Sequence, residues 1–162
     1  MKESSSPIKR HSALLEFSRE HHFGLLLVWK IRQGLKRDID LIRITDYTIF
    51  FFEKDLIQHF KEEEKNLFSK LPADDLLRQQ ALREHEKIYT LVDNLRKNKM
   101  NANLLTEFAD TLENHIRFEE RILFNHLENN LSEDELTKLV EEHGKKVIDV
   151  DTKWDDHFWI IK

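Results

Sequence analysis

Apolar residues recur at steps of three and four along almost the whole chain from Ser12 onward, the period of an amphipathic helix. The pattern predicts a first helix over about Ser12 to Leu35, ending near Gly34 and the charged stretch KRDID. A second runs from about Leu41 to Lys70 and is stopped by Pro72, whose ring disfavours a helical residue before it. A third starts after Asp74 and Asp75, good first-turn residues, and reaches about Lys97. The Asn-rich segment NKMNAN breaks the chain, and Asn103 is the candidate cap of a fourth helix that continues to about Glu128. A fifth starts at Ser132, where S-E-D-E forms a capping box of Ser132 with Glu135. Residues 1–10 (MKESSSPIKR) are polar, carry Pro7 and read as a flexible tail. The C-terminal DTKWDDHFWIIK has two Trp and a Phe and is expected to pack on the helices. The expected fold is all-α: an up-down-up-down four-helix bundle with an additional C-terminal helix, one domain over 11–162.

One internal repeat runs through this pattern. His59 begins HFKEEEKNLFSKL and His115 begins HIRFEERILFNHL, matching at the histidine, at the glutamates four and five residues on, and at later Leu, Phe and Leu positions. Repeated packing explains the Leu and Phe positions. It does not explain a repeated histidine.

Composition narrows the field further. With 162 residues, 40% hydrophobic and 35% charged, the chain can bury a real core, and its 3 Gly and 2 Pro leave few helix breakers. A net charge of -5 gives no electrostatic case for nucleic acid. The longest unbroken apolar run is Leu25 to Trp29, against the roughly 20 residues a membrane span needs. No uninterrupted apolar stretch of a secretory leader stands in the first residues, so a cytoplasmic location is expected. Absent cysteine, there is no thiolate metal site, disulfide frame or thiol nucleophile.

The chemistry concentrates in His22 or its neighbour His21, His59, His85 and His115. In an up-down bundle, residues equidistant from a turn share one height. The midpoint of His22 and His59 falls between Asp40 and Leu41, that of His59 and His85 on Pro72, and that of His85 and His115 on Met100. All three lie in turns placed without reference to histidine, so the four rings are expected at one level. His115 shares the apolar stripe Leu104, Phe108, Leu112, Glu119, Ile122, and His85 shares Leu82, Ile88, Val92, Leu95, so both face the core. Glu63 and Glu119 each follow a histidine by four residues and project from the same face. A buried carboxylate among imidazoles is costly as an isolated charge and favourable as a metal ligand. Four histidines and two glutamates are too many donors for one tetrahedral zinc and suit two near-octahedral ions bridged by carboxylates, iron or manganese ahead of zinc. No histidine has a glutamate three residues before it, which disfavours the ferritin-like E-x-x-H pattern.

H-x-x-x-E on helices two and four, with the phrases SREHHFGLLLVWKIRQG and HIRFEERILF, resembles the hemerythrin-like (HHE cation-binding) family over roughly residues 11–150. The resemblance implies a non-haem centre of two iron ions, oxo- or carboxylate-bridged, that binds dioxygen or a related small ligand. Carried over by residue, its ligands are His21 or His22, His59, Glu63, His85, His115 and Glu119. Leu25, Leu26 and Trp29 on its face make His22 the preferred reading, while the matching R-E-H strings at Arg19–His21 and Arg83–His85 favour His21. Oxygen-carrying hemerythrins have a further histidine one turn beyond the first on helix three. Here Tyr89 stands there, read as a core tyrosine ahead of a ligand, which leaves room for redox or sensing chemistry.

The expected function is a di-iron protein that binds or senses dioxygen or nitric oxide. The rivals are a di-iron oxidoreductase acting on peroxide or nitric oxide, and an iron-handling or stress-repair protein. No nucleophile, general base or phosphate loop supports conventional hydrolysis or phosphoryl transfer. Glu64 and Glu120 are turned about 100° from the ligand face and read as surface or supporting groups. His126 lies too far along its helix for the same site, and His11, His143 and His157 read as surface or packing residues.

Overall fold

The computed structural model describes residues 10–142 and 150–161, and over these the chain is helical with no strand. A 3-10 turn at Ser12–Leu14 leads into α1, Leu15–Lys36. α2 spans 41–70 as a continuous rod interrupted by two wider π turns, Phe52–Leu56 and Glu63–Leu67, and ends in the 3-10 turn Phe68–Lys70. α3 is Leu76–Lys97. α4 spans 102–130 with a π turn at Glu119–Leu123, and α5 is Glu133–Glu142.

The boundaries have local causes. α1 ends where Asp38 takes a left-handed conformation (φ 53°) and the Ile39 N–H returns to Gly34 O. Asp40 and Asp75 cap α2 and α3 by accepting from the amides of Ile42 and Arg78. The cap of α4 is Asn101, which accepts from Leu104, rather than Asn103. Both halves of the capping box at α5 form: Ser132 N–H donates to Glu135 Oε1 at 3.1 Å and Glu135 N–H to Ser132 Oγ at 3.2 Å.

Ion pairs and hydrogen bonds between neighbours show that successive helices run antiparallel. Lys30–Tyr47 and Glu20–His59 join α1 to α2, and Arg96–Glu53 and Glu64–His85 join α2 to α3. Lys87–Glu107 joins α3 to α4, while Arg32–Asp110 and Ser18–Glu120 close α4 back onto α1. The core falls into two apolar clusters. One contains Leu27, Ile31, Ile44, Phe52, Ile88, Phe108 and Leu112, the other Phe17, Phe68, Phe124 and Leu139. The polar cluster described below lies between them. No described helix is long and apolar enough to cross a membrane.

The C-terminal segment 150–161 packs on the end of α1 and α2, as its aromatic content predicts. Trp154, Phe158 and Trp159 surround the ring of Tyr47, and Asp156 pairs with Arg43. Asp151 accepts from Tyr47 at 2.6 Å and pairs with the buried Lys30, whose ammonium lies 4.0 Å above the Trp159 ring. Gly34 makes this close approach possible. A Cβ there would stand 2.7 Å from Ile44 Cδ1 and 2.9 Å from Phe158 Cε1. Gly34→Ala is therefore expected to lower unfolding stability by about 1–3 kcal/mol despite its better helix propensity, read from the denaturant midpoint. An unchanged midpoint would show that Ile44 and Phe158 give way without cost.

Candidate metal centre

Six buried polar side chains converge at one height of the bundle. His21 comes from α1, His59 and Glu63 from α2, His85 from α3, and His115 and Glu119 from α4. Each is at most 6% exposed. Their donor atoms form two quartets, His21, His59, Glu63, Glu119 and His85, His115, Glu63, Glu119, within each of which the atoms lie within 4.8 Å of one another. Glu63 and Glu119 belong to both.

The structure places the two helix-one alternatives differently. His21 is 3% exposed and stands in the cluster, whereas His22 is exposed and lies outside it. The apolar face that favoured His22 does not point inward: Leu25 is 36% and Trp29 49% exposed. His21 is the member of the pair that the matching R-E-H strings favoured.

All four imidazoles take the same orientation. Each turns Nδ1 outward to a carboxylate of a neighbouring helix. His59 donates to Glu20 (2.8 Å), His85 to Glu64 (2.8 Å), His115 to Glu84 (2.7 Å) and His21 to Glu120 (2.7 Å). The order is cyclic: α1 supplies α2, α2 supplies α3, α3 supplies α4, and α4 supplies α1. An Nδ1 proton held this way leaves the Nε2 lone pair of a neutral ring aimed inward, the tautomer a metal ion requires. The supporting role read for Glu64 and Glu120 matches this placement. Glu20 and Glu84 were missed, although each directly precedes a clustered histidine in sequence.

The inward atoms behave like donors awaiting a cation. His59 Nε2, His85 Nε2, His115 Nε2, both oxygens of Glu63 and Glu119 Oε2 are buried without a hydrogen-bond partner. Nevertheless Nε2 to carboxylate distances are only 3.0 Å for His115–Glu119, 3.1 Å for His21–Glu119, 3.2 Å for His59–Glu63 and 3.3 Å for His85–Glu63. In an octahedron with metal–ligand bonds of about 2.1 Å, neighbouring donors stand about 3.0 Å apart. The donor set, its spacing and its unpartnered atoms thus fit two ions sharing two carboxylates. An unfilled polar core of this kind would be costly.

Electrostatics point the same way. Burial alone would lower the His59 pKa, but the charge of Glu63 and the hydrogen bond to Glu20 raise it to about 10. Burial is likewise outweighed at His115, which Glu119 and Glu84 raise to about 9, and at His21 and His85, which are also raised by their carboxylates. Burial would raise Glu63, yet the surrounding imidazoles hold it well below the usual carboxylate range. Protons on the imidazoles thus balance the buried carboxylate charge in the metal-free chain, and metal binding must release them.

Aromatic rings fix the cluster from outside. Phe124 stacks on His21 (5.4 Å between centroids), Phe60 stacks on His85 (4.0 Å), and Phe68 packs against His85 (5.3 Å). Phe68 and Phe124 are the repeated phenylalanines, each lying on the histidine of an adjacent helix. Two of the three π turns, Glu63–Leu67 and Glu119–Leu123, start at the repeated glutamates, and each adds a residue to its turn. Their effect shows beyond Glu119, where Leu123 is buried and Ile122, assigned by regular helical spacing to the inward stripe, is 49% exposed.

The two halves are not identical. Gly24 stands three residues after His21, while the fully buried Ile88 stands three after His85. At Gly24 a small cavity of about 10 Å³ opens against His21, His59, His115 and Glu119, walled by Leu56, Phe60, Leu112 and Ile116. Tyr89 is half-buried and packs edge-on against Phe52 and Phe60, at 5.4 and 6.0 Å. Burial and the charges of Glu64 and Glu86 raise its pKa, so it is held as a neutral phenol. His126 lies apart and pairs with Asp75 at 2.7 Å, His11 with Glu133 at 2.9 Å, and His157 bonds Asp151 O. His143 lies outside the described residues, as do residues 1–9 of the expected tail.

The sequence model of the hemerythrin HHE cation binding domain matches residues 19–127, a span that contains all six clustered side chains. No curated protein and no solved structure matches the chain.

The raised histidine pKa values give a signed prediction for the metal-free protein. Against an ordinary value of 6.5, His59 at about 10 and His115 at about 9 contribute stability that is fully present below pH 6.5 and lost as pH rises through 9 to 10. The thermal midpoint of the metal-free chain should fall over that window, and a divalent ion should flatten the fall by replacing the protons. A midpoint that rises or stays level from pH 7 to 10 would contradict the charge assignment.

Proposed function

Because the chain belongs to the hemerythrin HHE cation binding domain family, we propose that its buried cluster holds two iron ions and that this centre binds or senses a small neutral molecule, dioxygen or nitric oxide. The observation that carries the reading is the sharing of Glu63 and Glu119 between two otherwise separate histidine pairs. A single ion would leave one pair of inward nitrogens unpartnered. Imidazole and carboxylate donors without cysteine suit iron or manganese better than a structural zinc.

On this reading the ion of the first half is held by His21 and His59, that of the second by His85 and His115, and Glu63 and Glu119 span both. Each quartet supplies four donors, so an octahedral ion keeps positions open. Bound iron would supply an open coordination site and a one-electron redox change. The chain's own residues decide what reaches it. Glu20 and Glu120 hold the His59 and His21 rings from behind, while Gly24, Leu56, Leu112 and Ile116 line the space in front. With about 10 Å³, that space has room for roughly one water-sized molecule. This supports a diatomic ligand over an organic substrate.

Two experiments test the assignment. Protein reconstituted anaerobically with ferrous iron should retain two irons per chain, one for each quartet. His22→Ala should keep both, and His21→Ala should lose at least one. Retention of two irons by His21→Ala would overturn the ligand set.

Gly24→Ala tests the ligand side, because its Cβ would stand 2.9 Å from Ile116 Cδ1. It should keep the iron and weaken nitric oxide binding roughly tenfold, followed by visible absorption. Unaltered binding would move the open position elsewhere. Steady consumption of peroxide by the wild-type protein would instead favour an oxidoreductase.

A further inference from the structure

Outside the six inward side chains, the pseudo-twofold relation between the halves breaks at Glu120. Its counterpart Glu64 bonds His85, and Glu84 bonds His115 and the Gln80 amide, with no cation of the described residues on either. Glu120 is different. Its Oε1 accepts from His21 at 2.7 Å, while its Oε2 accepts from Ser18 at 3.1 Å and faces Arg10 Nη2 at 3.5 Å.

Arg10 is held firmly in place. Its side chain is 6% exposed, Nη1 bonds Asn125 and Glu128 at 3.1 Å each, and Nη2 also donates to the Glu120 carbonyl. Its guanidinium lies 5.4 Å over the ring of Phe124, the ring that stacks on His21. The guanidinium therefore meets both groups that flank His21 from outside: the carboxylate on its Nδ1 and the aromatic ring on its face.

We propose that Arg10 is a positioning residue for the metal centre, acting through Glu120 on His21 and making the His21/His59 half bind its cation more weakly than the His85/His115 half. This rests on the two-ion reading above. A carboxylate on Nδ1 makes an imidazole a better donor, and a cation beside that carboxylate offsets part of the gain. Ser18 still holds Glu120 when Arg10 is removed, so the charge can be taken away while the carboxylate stays aimed. The affected half supplies Gly24, His21 and His59 to the cavity lining, against His115 alone from the histidines of the other half. Arg10 thereby keeps the ion of that half more electron-poor than its partner.

The test is a cobalt(II) titration of the metal-free full chain, followed by visible absorption. Wild type should take up two ions in unequal steps. Arg10→Gln should strengthen the weaker step by roughly threefold to tenfold and bring the two together, the low end of what an outer partner of a metal ligand commands. Arg10→Lys, which keeps the charge, should retain the wild-type ratio. Loss of the bonds to Asn125 and Glu128 lowers the thermal midpoint of Arg10→Gln in either case, so the ratio of the steps is the readout. A ratio unmoved in Arg10→Gln, or a loss of both steps, would overturn the role of Arg10 alone. A wild-type chain that takes fewer than two cobalt ions would overturn the two-ion reading and this proposal with it, before any substitution is made.

Discussion

Charge held inside a dry bundle is the constraint on which the rest of this structure depends. Glu63 and Glu119 are wholly buried, and a carboxylate removed from water costs several kcal/mol unless cations or donors surround it. Four imidazoles provide that surround, and four further carboxylates at the rim orient the imidazoles. Each rim carboxylate belongs to a different helix from the histidine it holds. The bundle and the cluster are therefore mutually dependent: the antiparallel register sets the rings at one height, and the cyclic bonds pin that register. Protons can balance the inner charge in the metal-free chain, and divalent ions can replace them.

The site is a repeated half-site with deliberate differences. His21, Glu20 and α1 correspond to His85, Glu84 and α3, while His59, Glu63, Glu64 and Phe68 correspond to His115, Glu119, Glu120 and Phe124. The repetition builds two similar quartets around shared carboxylates. Function enters where it fails. Glycine against isoleucine opens space on one half, and Arg10 places a positive charge behind the same half. Both departures fall on the half that carries His21 and His59.

Much of this was legible in the sequence. The turns followed from Pro72, the Asn-rich segment and the acidic pair, and the histidine midpoints then set the rings at one level without any structure. The repeated H-x-x-x-E identified both shared carboxylates. Other features escaped because they depend on what regular periodicity omits. His22 was favoured by an apolar stripe that the bundle leaves exposed, as Leu25 and Trp29 show. Apolar spacing reports a face of a helix and not which way that face turns when two stripes compete. Ile122 was assigned inward because the extra residue of a π turn is invisible to a 3.6-residue count. Glu20 and Glu84 read as ordinary surface acids, since their partners lie on other helices. Arg10 fell within a segment read as a loose tail, and its packing against α4 comes from contacts about 110 residues away along the chain.

The proposed function requires that two ions occupy the cluster and share Glu63 and Glu119. The most direct measurement is a crystal structure of the iron-loaded protein with anomalous data on both sides of the iron edge. Two anomalous peaks are expected about 3.5–4 Å apart, one beside His21 and His59, the other beside His85 and His115, with both glutamates between them. A single tetrahedral peak, or density that leaves Glu63 or Glu119 uncoordinated, would contradict it.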